Sequence, residues 1–194
     1  MVKIGLLICH SDNYFAQEYE IPKRYTDGVT RLAKQMDACI LPYAPVKDAG
    51  QTKAAKAYFK EQEVDYILIL CAAFCTGDIM MEFDGWPTPI GVWAAQEPQE
   101  SGDIQLNAVV SMNLFISIAK RSFHHRKRVK WFYGSPEDDL FKQRFTVSVQ
   151  ALRGVKILRT GKIGILGDTA PTFYNLETDC KTEKEFGLSF IKIT

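Results

Sequence analysis

The chain has 194 residues, 46% of them apolar, with a formal net charge of +1; this is enough for one domain with a real core, or for one domain and a fraction of another. So little net charge leaves no footprint for a nucleic acid or an acidic partner, and no apolar run reaches the roughly 18 uncharged residues of a membrane span. The opening Met1-Val2-Lys3-Ile4-Gly5 lacks the apolar length and small-residue cleavage site of a signal peptide, so a cytoplasmic location is expected.

Near-continuous apolar blocks predict buried strands at 2–9, 39–41, 64–71, 89–93 and 129–133. Helical spacing falls between them. Tyr25, Val29, Leu32 and Met36 share one face, with Pro22 tolerable in the first turn. A second helical pattern covers 52–62. A third, 106–123, is apolar on nearly every side, which calls for sheet on one face and a further cover, such as a subunit interface, on the other. In the fourth, Ser135 fits the N-cap, Pro136 the first helical position and Asp138 the reciprocal carboxylate, while Gly154 suits the stop. This alternation predicts an α/β fold: an open, parallel five-stranded sheet with helices on both faces, a flavodoxin- or Rossmann-like three-layer sandwich.

Lys3-Ile4-Gly5-Leu6-Leu7 returns near the end as Lys162-Ile163-Gly164-Ile165-Leu166. Residues 155–160 read as a link. A strand at 162–166, a helix at 178–186 and a strand at 188–193 then make the first βαβ unit of a second, similar domain. The expected division is 1–158 and 159–194. The second piece is too small to bury a core of its own.

Ligands of open α/β sheets bind beyond the carboxyl ends of the strands. The loops there are His10-Ser11-Asp12-Asn13-Tyr14, Ala72 to Asp78, Ala94-Ala95-Gln96-Glu97-Pro98 and Gly167 to Pro171. The first holds no glycine, so a dinucleotide fingerprint is excluded, and no Walker-type loop occurs. Cys9, Cys39, Cys71, Cys75 and Cys180 are odd in number, and the Cys71–Cys75 spacing matches neither a redox pair nor half of a zinc site; they read as structural thiols. His124 and His125 belong to a basic helix end, and His10 reads as a hydrogen-bonded structural residue at a strand end. Asp78, Glu82, Asp84, Glu97 and Glu100 form an acidic series, but no metal site is assigned to them. Trp93 ahead of Gln96 and Glu97 admits two readings: a ring stacked on a sugar with polar groups on its hydroxyls, or a core tryptophan closing the sheet.

Pro89-Ile90-Gly91-Val92-Trp93-Ala94-Ala95-Gln96-Glu97-Pro98, with Leu106-Asn107, Asn113-Leu114, Trp131-Phe132-Tyr133-Gly134 and the restart Lys162 to Phe173, resembles the N-terminal region of the L-fucose isomerase-like family, of the L-fucose/L-arabinose isomerase superfamily. The resemblance implies an aldose–ketose isomerase of carbohydrate metabolism that works through an enediol on a monosaccharide. It implies a divalent cation, usually manganese, whose Glu, Asp and His ligands would lie beyond Thr194, so no catalytic or metal-binding residue is carried over. It also implies a homo-oligomer in which this domain covers a neighbour's active site. Trp93 would stack on substrate, with Gln96 nearby and Asn13 and Arg24 as further hydroxyl contacts. Alone, the chain is expected to bind no metal and to turn nothing over. The alternative expectation is a self-sufficient, flavodoxin-like sugar-binding module.

Overall fold

Apolar side chains on both faces make β1 (Val2–Cys9) a central strand: every residue but Lys3 is buried. It continues through α1 (Ile21–Lys34), β2 (Ala38–Pro42), α2 (Ala49–Glu61), β3 (Tyr66–Cys71), α3 (Gly77–Met81), β4 (Ile90–Ala94), α4 (Ala108–Arg121), β5 (Lys130–Tyr133), α5 (Asp139–Thr160), β6 (Lys162–Leu166) and β7 (Ser189–Ile193). The computed structural model describes residues 1–125, 129–176, 183 and 187–193. Two compact units result, Met1–Val149 and Gln150–Thr194.

The first unit carries a five-stranded sheet in the order β2-β1-β3-β4-β5, parallel throughout. This is the Rossmann-like α/β architecture expected, with the order reversal between β1 and β3. The register aligns Ile8, Leu70, Trp93 and Phe132 on one face. Tyr25 of α1 and Phe141 of α5 pack on Trp93 there, at ring separations of 5.1 and 4.4 Å. On the other face Phe59 of α2 lies over Gly5, where a Cβ would meet its ring at 2.8 Å. Glycine is therefore what lets α2 approach the sheet. α4 packs against β3, β4 and β5 on the same side, and α3 lies against α2 and α4.

α2 begins on a cap: the Asp48 carboxylate accepts from the Gln51 N–H at 2.8 Å, and the Gln51 side chain accepts from the Lys47 N–H at 2.8 Å. α4 buries one stripe, Ala108, Ser111, Met112, Phe115 and Ala119. Val109 and Val110 on its outer side are 39% and 48% exposed, so that apolar face is open in the single chain. Ahead of α5 the Asp138 carboxylate accepts from the Ser135 N–H at 2.7 Å, as expected, but Pro136 is not the first helical residue: 136–138 form a turn and bend, and the helix starts three residues later, at Asp139. Gly154 does not end it: α5 runs unbroken to Thr160 through the expected link. A helical glycine costs about 1 kcal/mol, which good helix formers on either side (Leu152, Arg153, Lys156, Leu158) offset. At the sheet edge Arg144 donates from Nε and Nη2 to the Trp131 carbonyl at 3.2 and 2.8 Å, with its guanidinium 4.0 Å above the Trp131 ring.

In the second unit β6 and β7 pair in parallel, from Lys162 opposite Ser189 to Leu166 opposite Ile193. A 3-10 turn covers Tyr174–Leu176. The helix expected at 178–186 and Cys180 lie outside the described residues, apart from Glu183. Among the described residues, no helix is long and apolar enough to cross a membrane.

Candidate functional site

Backbone hydrogen bonds stitch the loops at the carboxyl edge of the five-stranded sheet into one floor. The Ser11 N–H donates to the Phe74 carbonyl at 2.8 Å, and the Phe74 N–H to the Leu106 carbonyl at 2.7 Å. The Phe15 N–H reaches the Gln105 carbonyl at 3.2 Å. Side chains add to this: the Asn107 amide donates to the Tyr14 hydroxyl at 3.1 Å, and the Tyr14 and Phe74 rings lie 5.7 Å apart. Asn107 holds a left-handed backbone, φ 55°, immediately before α4.

Glu97 organises the β4 loop. Its carboxylate accepts from the N–H groups of Gln105 and Leu106, both at 3.0 Å, and of Asn107 at 2.7 Å. A carboxylate on three backbone donors is a positioning group, committed to closing the loop. The rest of the acidic series does not converge either. Asp78 accepts from the Thr76 hydroxyl, and Asp84 turns to His124, accepting from its backbone N–H at 3.2 Å and pairing with its Nδ1. Asp84 raises the His124 pKa, and His124 lowers that of Asp84.

The four residues read from sequence as sugar contacts fall into two groups. Asn13 and Gln96 are exposed on the β1 and β4 loops, and Arg24 is exposed on the first turns of α1. The Gln96 backbone N–H donates to the Tyr25 hydroxyl at 3.2 Å, which ties the β4 loop to α1. Arg24 lines a cleft of about 200 Å³ with Tyr25, Asp27, Arg31, Ser135 and Glu137. Trp93 is different. It is fully buried between Tyr25 and Phe141, and its Nε1–H donates to the Gly134 carbonyl at 2.9 Å. A ring enclosed on both sides offers no face to a sugar, so within this chain Trp93 takes the core reading. A second hollow, of about 460 Å³, opens among Lys56, Phe59, Trp86 and Thr88, at the edge where β3 and β4 begin. In the second unit Gly167, Asp168 and Thr169, after β6, line an open hollow of about 520 Å³.

His10 is buried, as expected of a structural residue. Its Nε2 lies 3.0 Å from the Gln17 amide nitrogen, but its Nδ1 is buried with no hydrogen-bond partner. Beside this strand end the structure assembles what sequence spacing did not suggest. The sulfurs of Cys9, Cys71 and Cys75 all lie within 4.8 Å of one another, and those of Cys9 and Cys75 are 3.1 Å apart. Cys9 and Cys71 end adjacent parallel strands in register, and Cys75 lies four residues on in the loop. Burial pushes the Cys9 and Cys71 thiols well up, whereas its contacts with the Cys71 and Cys9 sulfurs hold Cys75 well below the usual thiol range. The 71–75 spacing alone gives no sign of the cluster, because its third member is 62 residues earlier and only the strand pairing joins them.

No family model matches the chain. Over 116 residues it is 25% identical to the sulfoquinovose isomerases of Priestia aryabhattai and Priestia megaterium, and 26% identical to that of Alkalicoccus urumqiensis. The matched stretch is 59% of this chain and 25–26% of the relatives, so the chain spans about a quarter of the length of the curated relatives it matches. Over more than half its length, then, it is similar to sugar isomerases.

Proposed function

We propose that this chain is the N-terminal α/β part of an aldose–ketose isomerase of carbohydrate metabolism, of the L-fucose isomerase-like kind, in which it covers the sugar and supports assembly. The similarity to sulfoquinovose isomerases carries this reading. The polar strand-end floor agrees with it: Asn13, Gln96 and Arg24 present amide and guanidinium groups of the kind that hold sugar hydroxyls. Trp93 supports them from beneath as a positioning residue, since its neighbour Tyr25 fixes the Gln96 backbone. The open apolar side of α4, with Val109 and Val110, is the surface for a second copy in a cytoplasmic homo-oligomer.

Manganese would stabilise the enediolate in such an isomerase. The described residues do not fit that ion. Their one gathered set of metal-ligand side chains is three thiols, and manganese prefers oxygen and imidazole donors. No step through the metal is assigned to this chain.

The test is to offer sulfoquinovose with and without Mn2+ to the 194-residue chain, following ketose formation and the side-chain amide NMR signals of Asn13 and Gln96. The expected result is no turnover, with sugar-dependent shifts of those amides. Turnover by this chain alone, or shifts confined to the Lys56–Trp86 hollow, would overturn the reading. The complete sheet within the first unit favours one other reading, a self-sufficient sugar-binding module. A strictly monomeric chain with a sugar-dependent rise in melting temperature would select it.

A further inference from the structure

We propose that Cys9, Cys71 and Cys75 form a binding site for a single soft metal ion of the Zn2+ class, separate from any metal that a sugar reaction uses. The cluster sits where the strand order reverses, at the carboxyl ends of β1 and β3. Register pairing sends the Cys9 and Cys71 side chains off the same face of the sheet. Cys75 is pinned opposite them: Ser111 of α4 accepts from its N–H at 2.7 Å and donates to its carbonyl at 3.2 Å. All three are free thiols and fully or almost fully buried.

Zinc–sulfur bonds of about 2.3 Å place tetrahedral sulfurs about 3.8 Å apart. The sulfurs here, 3.1 Å apart for Cys9 and Cys75 and all within 4.8 Å of one another, lie within reach of that value. Binding replaces S–H protons with metal–sulfur bonds: three cysteine side chains and one Zn2+ give a trithiolate complex of charge −1, with one proton released to solvent for each sulfur that carried one. The ring nitrogens of neighbouring His10 do not join the three sulfurs, so the site offers three sulfur ligands and leaves the fourth position to a non-protein ligand such as water. Sulfur donors select a soft or borderline ion over Mn2+ or Mg2+. Burial also argues against a redox switch, because thiols that exchange or oxidise readily are partly open to solvent.

The experiment is an anaerobic Co2+ titration of the reduced, full 194-residue chain. A thiolate-to-cobalt charge-transfer band should saturate at one ion per chain and disappear on adding Zn2+ but not Mn2+. Folded Cys71→Ser and Cys75→Ser variants should lose the band, and Cys39→Ser should keep it. If the serine variants fail to fold, native mass spectrometry of the wild-type chain decides: one Zn2+ retained supports the site, and none overturns it. No band in the fully reduced wild type, an undiminished band in both folded serine variants, or displacement by Mn2+ would also overturn it.

Discussion

Trp93 shows how much a single side chain's surroundings decide. Sequence places it at a strand end beside an amide and a carboxylate; the fold seals it between two aromatic rings and uses its one donor on Gly134. Trp93→Ala should therefore act on stability first, lowering the unfolding free energy by about 3–5 kcal/mol in urea denaturation. A loss below about 1 kcal/mol would return the residue to a surface role. His124 offers a second test, of charge. Asp84 holds its pKa above the ordinary histidine value, and its own carboxyl is held below the ordinary range. The histidine's contribution is complete below its unfolded-state pKa and is lost as pH rises through the raised folded value; the carboxylate's is lost as pH falls through its depressed one. The pair therefore acts between those two limits. Following the His124 ring protons by NMR, Asp84→Asn should bring the titration midpoint down towards that of an ordinary histidine. An unmoved midpoint would show that the two groups do not interact in solution.

At the scale of elements, the apolar runs mark the central strands β1, β3 and β4 because these are buried on both faces and need no alternation, while the edge strands β2 and β5 bury alternate residues. β1 begins and ends where its sequence predicts. Two features were less legible. α3 is only five residues long, too short for a periodic signal. α5 was expected to stop at Gly154, because a glycine after an amphipathic run reads as a stop whether or not the chain then turns; here it stays helical. Gly154 has open space where a Cβ would be. Gly154→Ala should stabilise α5 by about 0.5–1 kcal/mol, seen as slower amide exchange over 150–158. Faster exchange would mean that the helix breaks there. The candidate site was legible only in outline. The loops after β1, β3 and β4 were found by the strand-end rule, but Glu97's three backbone contacts and the thiol cluster depend on approaches between loops that no local pattern encodes.

For the whole molecule, the first unit encloses its own core, whereas β6 of the second is exposed at four of its five residues. Limited proteolysis should cut first within 150–194 and leave a resistant core ending near 149, identified by intact mass; first cuts within 1–149 would contradict this. The border of the main sheet carries a last consequence. A β5 carbonyl is already occupied by two donors from Arg144, whose guanidinium also lies flat on the Trp131 ring. A foreign strand seeking to extend the sheet there would first have to evict that cation, so runaway β-stacking at this margin is disfavoured.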